Sequence, residues 1–288
     1  MRLENTPVDQ MLTGSGTQHM RILAALRARE LDAALSHFPP PTHKDGRQRT
    51  VLEIGAGTGQ QAKAIQALDY HVVAIDLASS HYRLDRIHPV IEYDGRNIPM
   101  ADGSADIIFS SNVLEHVRDI EGFLDETRRV LARDGVAVHI LPTSLCRFWS
   151  IPAHYVWLAK RLYARVRRPI RQAAVDRDEH NRPRTPNSPR EWLGLLFPMR
   201  HGERGVTLTE IYYYSSYWWK RTFRRHGFLV MRVDKNHLFY TMANALADSL
   251  GLAARHRLSR VLGSACHIYV LRPTATPAHE GTPPASTI

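Results

Sequence analysis

The sequence predicts an α/β fold: a doubly wound, mostly parallel sheet with an inserted, mainly helical substrate cap. Four short apolar runs have the length of strands and are bounded by Gly, Asp or Ser: residues 51–54, 72–75, 107–109 and 136–141. Helical periodicity lies between them, at residues 61–68 and 120–131. Because strands that alternate with helices form parallel β-α-β units, we expect helices on both faces of one sheet.

Composition divides the chain into five segments around this core. They are an N-terminal helical segment and linker at 1–49, the strand-helix core at 50–144, a basic, aromatic-rich insertion or lid at 145–226, closing strands with a helical insertion at 227–272, and a disordered tail at 273–288. Prolines within residues 182–189 predict a loop or mobile lid inside the insertion. The tail is rich in Pro, Thr and Ala and has no core-forming pattern.

The overall composition is that of a globular protein with a substantial core. Of 288 residues, 43% are hydrophobic and 23% are charged, which excludes a chain that is disordered throughout. Cys146 and Cys266 stand far apart and form no Cys-x-x-Cys pair, which favours a reducing, cytoplasmic compartment. The apolar pattern predicts neither a signal peptide nor a membrane span.

The charge is strongly basic, with 38 Lys and Arg against 28 Asp and Glu and a formal net charge of +10. Such a surface attracts nucleic acid, anionic membranes or phosphorylated substrates. Most of the excess lies at residues 154–171, where Tyr155, Leu158 and Leu162 share one face of a helical wheel. A basic amphipathic helix suits an anionic membrane surface, here the inner face; the alternative is a helix packed on the sheet with solvated arginines.

Residues 51–59 read as a strand that runs into a glycine-rich turn and then a helix. Gly55, Gly57 and Gly59 allow a sharp turn and the close approach of a ligand to the backbone. A dinucleotide site needs Gly-x-Gly-x-x-Gly, whereas the third glycine here comes one position early. This spacing and the acidic Glu53 argue against a pyrophosphate and for a ligand with ammonium and carboxylate groups.

Further motifs follow the glycine turn in a fixed order. Asp76 ends the second strand, about 20 residues beyond the turn, where an acid accepts hydrogen bonds from ribose hydroxyls. Residues 93–99 (YDGRNIP), 102–108 (DGSADII) and 111–117 (SNVLEHV) come next. Over residues 50–142 these motifs resemble those of class I S-adenosylmethionine-dependent methyltransferases, which have a Rossmann-like fold. They look most similar to the small-molecule branch that includes quinone-biosynthesis enzymes.

The resemblance implies a site for S-adenosylmethionine as cofactor. Its methionine part would be held by Glu53 and by the backbone of Gly55, Gly57 and Gly59. Asn112, in the loop after the fourth strand, would contact the methionine end as well.

The resemblance also implies residues for the nucleoside part of the cofactor. Asp76 would bind the ribose diol. Asp94 would take the adenine amino group, with the Gly95 amide near the ring. The alternative for Asp94 is a turn acid that precedes Gly95.

Methyl transfer to a hydroxyl also requires removal of the acceptor's proton. His116 lies at the mouth of the predicted fold and has a side chain that titrates near neutral pH. We therefore expect His116 as the catalytic base. The alternatives are a structural histidine and catalysis without any single base.

Residues 201–214 form a second candidate region, rich in His, Glu and Tyr. His201, Glu203, Glu210 and Tyr213 are expected to line an acceptor pocket; the alternative is an exposed loop before an amphipathic helix. No metal site is expected, because no helical His-x-x-x-His pair or third ligand accompanies them.

Three classes of function follow from these patterns. The first is a methyltransferase for a small-molecule, glycan or lipid-linked acceptor near the membrane. The second is an RNA methyltransferase, which the charge favours, although no recognisable RNA-binding module is present. The third is a non-catalytic cofactor-binding protein. The oligomeric state is not indicated.

Overall fold

A computed structural model describes residues 18–167, 196–241 and 250–274 of the chain. Within these residues, seven strands form one sheet in the order β3-β2-β1-β4-β5-β7-β6. The strands are β1 Thr50–Ile54, β2 His71–Leu77, β3 Ile91–Tyr93, β4 Ala105–Ser111, β5 Leu131–Pro142, β6 Phe228–Lys235 and β7 Cys266–Pro273. β1 to β5 pair in parallel, and β7 lies antiparallel between β5 and β6. The predicted fold class is confirmed.

The helices of the described ranges flank this sheet or follow it. They are α1 Gln18–Leu35, α2 Gln60–Gln66, α3 Ile120–Val130, α4 Ser144–Arg167, α5 Glu210–Tyr213, α6 Ser216–Arg225 and α7 Leu252–Leu262, with 3-10 helices at Arg83–Asp85 and Leu114–His116. The Asp119 side chain starts α3 by accepting a hydrogen bond from Gly122 N at 3.0 Å. In the ranges that the structure describes, no helix has the length and apolarity needed to cross a membrane.

Both faces of the sheet are buried. Val51 and Ile107 pack with α1 and α2 in one cluster, whereas their neighbours Leu52 and Ile108 pack with α3 and α6 in another. Successive apolar residues on opposite faces explain why these strands read as continuous apolar runs. The arrangement leaves the carboxyl ends of β1, β2 and β4 at one edge of the sheet, where the loops that carry the motifs begin.

Two strands differ from their prediction. β3 was not predicted, because Ile91–Tyr93 is a three-residue edge strand without an apolar run. β5 begins at Leu131 rather than at residue 136, and its register with β4 shifts between Ala105 and Ile107. The predicted helix at 120–131 therefore ends one residue earlier, at Val130.

Helix α6 packs as part of the core, although the predicted insertion at 145–226 included it. Trp219 and Phe223 of α6 are 1% and 0% exposed in the cluster on one face of the sheet. The part of the insertion that extends beyond the core thus ends before Ser216. The predicted loop at 182–189 and nearly all of the tail lie outside the described residues.

Candidate active site

The glycine turn connects β1 to α2 at the carboxyl edge of the parallel strands. Gly55, Gly57 and Gly59 have φ values of 73°, 56° and 78°, a left-handed conformation that residues with a Cβ rarely adopt. A Cβ on Gly59 would lie 2.7 Å from His88 Cβ, and one on Gly55 would collide with the Val113 side chain. The turn itself therefore requires glycine at these positions.

Glu53 lies near the end of β1 and is 2% exposed. Its carboxylate accepts a hydrogen bond from the Ala62 backbone in the first turn of α2, where the N-cap residue Gly59 has no side chain to offer. The second oxygen, Oε2, has no hydrogen-bond partner among the described residues. Burial raises the pKa of Glu53 to about 8, and the nearby Asp76 charge adds to the rise. This oxygen can accept a hydrogen bond from a ligand.

Asp76 lies at the carboxyl end of β2, beside the glycine turn. Its Oδ2 accepts a hydrogen bond from Gly57 N at 3.0 Å, and its Oδ1 accepts one from Leu77 N at 2.8 Å. The carboxylate is thus attached directly to the turn. This placement agrees with a ribose contact, which stays a prediction.

Asp94 lies in the turn after β3. Its Oδ1 accepts hydrogen bonds from Arg96 N at 2.8 Å and Asn97 N at 2.7 Å, and its Oδ2 accepts one from Asn97 Nδ2 at 2.7 Å. Hydrogen bonds from Asn97 and Arg96 hold the pKa of Asp94 below its ordinary value. Gly95 follows with a φ of 79°. The carboxylate therefore caps its own turn in this structure, and the contact with adenine stays a prediction.

Asn112 follows β4 with a φ of 55°, which is uncommon for a residue other than glycine. Its backbone N–H donates to Ile140 O at 2.9 Å, and its Oδ1 lies 3.6 Å from Cys266 Sγ, the donor. Contacts with β5 and β7 thus hold Asn112 at the same edge as the glycine turn. Its contact with the methionine end stays a prediction.

His116 and His201 come together just beyond this loop. Their ring centroids are 4.9 Å apart, in an edge-to-face arrangement. Partial burial lowers the pKa of both imidazoles, although part of each ring stays exposed, and the pKa of His201 falls to about 4 because the neighbouring His116 and Arg147 add to the effect. A lowered pKa favours the neutral imidazole, which offers one nitrogen lone pair.

Glu210 is fully buried, at 0% exposure. Its Oε2 forms an ion pair with Arg147 Nε at 2.7 Å, and its Oε1 accepts hydrogen bonds from His201 N at 2.8 Å and Gly202 N at 2.6 Å. The carboxylate fixes the loop that carries His201. Its contact with an acceptor stays a prediction.

The two other predicted acceptor residues, Glu203 and Tyr213, are half-buried. Glu203 Oε2 accepts a hydrogen bond from Arg118 Nε at 3.1 Å. The Tyr213 ring packs edge-on against Trp218, with centroids 5.5 Å apart. Of the predicted acceptor residues, His201 thus contacts His116, whereas Glu203 contacts Arg118 and Tyr213 contacts Trp218.

Glu115 lies beside His116 and His201, a position that the sequence pattern did not reveal. It is 1% exposed, and neither carboxylate oxygen has a hydrogen-bond partner among the described residues. Burial raises the pKa of Glu115 to about 8. An acid directly before His116 was the available signal, but its burial next to His201 follows only from the tertiary structure.

Residues 52–139 match the family model of a methyltransferase domain. An uncharacterized methyltransferase of Mycolicibacterium gilvum is 37% identical over 98 residues, which are 32% of this chain and 38% of the relative. A protein of Mycobacterium tuberculosis named as a probable S-adenosylmethionine-dependent methyltransferase is 30% identical over 102 residues, 34% of this chain and 37% of that protein. The chain thus spans less than two fifths of the length of these curated relatives.

A solved structure shares the fold over most of both chains. It comes from the complex between the Haloferax volcanii Trm112 methyltransferase activator and a methyltransferase, with a TM-score of 0.51, 14% identity, and coverage of 91% of this chain and 96% of that chain. The fold, the motif order and the family match identify a class I S-adenosylmethionine-dependent methyltransferase domain in this protein. Closeness to the quinone-biosynthesis enzymes stays a prediction.

The cofactor of such a domain is S-adenosylmethionine, and the residues present fit it. Glu53 offers a buried, unpartnered oxygen for an ammonium group. Gly57 keeps the turn free of a side chain, and its N–H donates to the Asp76 carboxylate beside it at 3.0 Å. When bound, the cofactor supplies a methyl group already activated by its sulfonium.

Proposed function

We propose that this protein transfers a methyl group from S-adenosylmethionine to a small-molecule, glycan or lipid-linked acceptor. One observation carries the proposal: the candidate cofactor residues of β1, β2 and β4 share an edge with a turn that residues 198–214, here called the cover segment, contact directly. The methyl donor would thus lie on the cofactor residues of this edge, and an acceptor would lie between them and the cover segment. In-line displacement needs both.

Hydrogen bonds connect the cover segment to the turn after β4. Glu203 N donates a hydrogen bond to Glu115 O at 2.9 Å. The Arg204 guanidinium donates to Leu114 O at 3.3 Å and to Val117 O. Contacts of this kind give an acceptor pocket a defined wall and limit the access of water.

The chain's own residues have to position the reactants, because the methyl group arrives activated. Glu53 and Asp76 would hold the donor, and the cover segment would hold the acceptor. Such alignment contributes about 7–11 kcal/mol in favourable cases. If the acceptor is a hydroxyl, His116 is our candidate for accepting its proton in the protein without a metal ion.

Methyl transfer can be tested with isotope-labelled donor. The purified protein would be incubated with S-adenosylmethionine carrying a ¹³C-methyl group and with small-molecule and lipid extracts of a deletion strain. We expect mass spectrometry to find the label in an extractable metabolite or lipid, and to find none with the Gly57→Val variant. If the protein binds S-adenosylhomocysteine but labels no extract, the result would favour the alternative of a non-catalytic cofactor-binding protein.

We further propose that α4 associates with an anionic membrane surface. Leu158 is buried, whereas Tyr155, Leu162 and Tyr163 on the same helix are 47%, 44% and 57% exposed. The sequence around them is basic, and each Lys or Arg near an anionic leaflet contributes about 1 kcal/mol to binding.

Co-sedimentation with vesicles tests this association. At low salt we expect binding to vesicles with anionic lipid, weaker binding to neutral vesicles, and release at high salt. The Tyr155→Ser, Leu162→Ser double variant should bind less. Leu84→Ser is the matched control, because Leu84 is 96% exposed on another part of the surface. Absence of binding at low salt in the unaltered protein would contradict the proposal.

An RNA acceptor is the second candidate, and α6 favours it. Tyr217, Lys220, Arg221, Arg224 and Arg225 line one open groove along this helix. A basic groove with an aromatic residue suits a nucleic-acid backbone and a stacked base. Strongly salt-dependent RNA binding that Arg221→Glu and Arg224→Glu remove, together with labelling of RNA, would favour this candidate.

A further inference from the structure

Three potential metal ligands meet at the junction between the core and the cover segment. One ligand atom each from Glu115, His116 and His201 lies within 4.8 Å of the others. His116 Nε2 is 3.9 Å from Glu115 Oε1, and the two imidazole rings are 4.9 Å apart between centroids. Both histidines are exposed on their outer side, so a ligand can reach the group from solvent.

The buried carboxylate of Glu115 indicates that this group holds a ligand. It is 1% exposed and neither of its oxygens has a hydrogen-bond partner among the described residues, and a buried polar group without a partner is costly. Arg27 and Arg204 lie nearby. Arg27 pairs with Glu30, and the Arg204 guanidinium donates to the carbonyl oxygens of Leu114 and Val117. A metal ion between Glu115 and the two imidazoles would give the buried oxygens the partner that they lack.

The three side chains stand on backbone that is held in place. Glu115 and His116 belong to the 3-10 helix after β4. On the other side, Glu210 accepts hydrogen bonds from the backbone N–H groups of His201 and Gly202, and Arg147 fixes Glu210. Ligands supported in this way need little reorganisation to bind an ion.

We propose that Glu115, His116 and His201 bind a divalent transition-metal ion of the Zn²⁺ class. Two imidazoles and a carboxylate form a donor set that Zn²⁺ uses in catalytic sites, whereas Mg²⁺ and Ca²⁺ prefer oxygen ligands. A tetrahedral site with bonds of about 2.1 Å needs ligand atoms about 3.4 Å apart, so only small side-chain movements are required. Three protein ligands leave a fourth position open.

The open position defines a role that rests on the proposed function. An acceptor hydroxyl bound there would lose its proton more readily, because a metal ion lowers the pKa of a bound hydroxyl. His116 would then act as a ligand rather than as a base. The sequence pattern predicted no metal site, because it showed neither a helical His-x-x-x-His pair nor a third ligand. In the structure, Glu203 and Glu210 pair with Arg118 and Arg147 instead.

Titration of the metal-free full chain with Co²⁺ tests the site without any activity assay. We expect one equivalent to bind with visible absorption of low-coordinate Co²⁺, and Zn²⁺ to displace it. His201→Ala and Glu115→Gln should each weaken binding by more than about 10-fold, at least the loss that outer-shell changes cause. His256→Ala is the matched control, since His256 also lies beside a second histidine, His237, and should bind as the unaltered protein does.

Circular dichroism would show that each variant is folded. No saturable Co²⁺ or Zn²⁺ binding to the unaltered protein, or equal binding by folded His201→Ala, would overturn the metal site. A separate titration with S-adenosylhomocysteine keeps the two proposals apart. If that ligand fails to bind while Co²⁺ binds as expected, the metal site stands and the proposed function does not.

Discussion

The core at residues 50–142 and the segment at 144–214 position their polar residues by different means. In the core, Glu53, Asp76 and Asn112 each lie at or near the carboxyl end of a parallel strand, so the topology alone gathers them at one edge. In the later segment, the polar residues are gathered by contacts between loops and helices, such as the ion pair between Arg147 and Glu210. Substitutions should therefore affect the two regions differently.

The comparisons with other proteins divide the chain at nearly the same place. The family match covers residues 52–139, and the relatives align over about a third of the chain. The core thus carries the shared donor chemistry. The later segment carries the features from which an acceptor has to be inferred.

Loss of Arg147 should have the largest effect on stability. Arg147 is 3% exposed, and Arg147→Met leaves the Glu210 carboxylate buried without its ion pair. We expect the free energy of unfolding to fall by about 3–5 kcal/mol, as for other broken buried pairs. Urea unfolding would measure it. Arg118→Met is the control, because the Arg118 side chain that pairs with Glu203 is 84% exposed. Loss of this pair should lower the free energy of unfolding by no more than about 1 kcal/mol. Equal losses would contradict the role given to the buried pair.

Gly57→Val, in the core, should mainly reduce cofactor binding, whereas Arg147→Met mainly reduces stability. A branched side chain at a φ of 56° strains the turn, brings its Cβ to 3.4 Å from the Tyr82 ring, and would occupy space that the proposed cofactor needs. We expect affinity for S-adenosylhomocysteine to fall by at least about 100-fold, or about 2.8 kcal/mol. Gly103→Val is the control for backbone strain. Gly103 has a similar φ of 63°, but a side chain there would enter open space. Similar affinities in both variants would refute the assignment of the turn.

Asp76→Ala should weaken the same binding by a smaller amount. The substitution removes hydrogen bonds to a charged acceptor, worth about 1–3 kcal/mol. It also frees Gly57 N, which Asp76 holds at 3.0 Å. Calorimetry with S-adenosylhomocysteine would measure the loss, and Asp76→Asn should lie between the alanine variant and the unaltered protein. Unchanged affinity in Asp76→Ala would exclude a ribose contact at this position.

Glu53→Gln should change how stability depends on pH. The pKa of Glu53 is about 8 in the folded protein and about 4.3 in an unfolded chain. Between these values only the folded state holds the proton, so the stabilising contribution is complete at low pH and is lost as pH rises towards 8. The slope is up to about 1.4 kcal/mol per pH unit.

Urea unfolding between pH 5 and pH 8 would measure this slope. Glutamine cannot titrate, so the free energy of unfolding of Glu53→Gln should fall less over that range. Glu121→Gln, on an exposed residue of α3, should keep the slope of the unaltered protein. If Glu53→Gln keeps it too, the carboxylate is already ionised at neutral pH in the folded state.

Most strands of the sheet could be predicted from the sequence, because a strand that is buried on both faces consists of consecutive apolar residues. It missed β3, where Ile91–Tyr93 pairs on one side only and carries no such run. It also placed α6 in the insertion, since its aromatic and basic composition resembles that of the preceding residues. Only the packing of Trp219 and Phe223 on the sheet assigns α6 to the core.

The candidate site was predictable where it follows from strand order and spacing. The positions of Gly57 and Asp76 follow from the turn after β1 and the end of β2. The group of Glu115, His116 and His201 was not predictable, because it joins two loops that are remote in sequence and depends on a hydrogen bond between Glu203 N and Glu115 O. Likewise, no pattern could show that Glu210 has Arg147 as its partner.

The central claim is that the core binds S-adenosylmethionine at the carboxyl edge of β1, β2 and β4. Calorimetric titration of the unaltered full chain with S-adenosylhomocysteine, and separately with NAD, tests it most directly. We predict saturable binding of one equivalent of S-adenosylhomocysteine and much weaker binding of NAD, because the third glycine comes too early for a pyrophosphate site. Tighter binding of NAD, or no binding of S-adenosylhomocysteine, would contradict the claim.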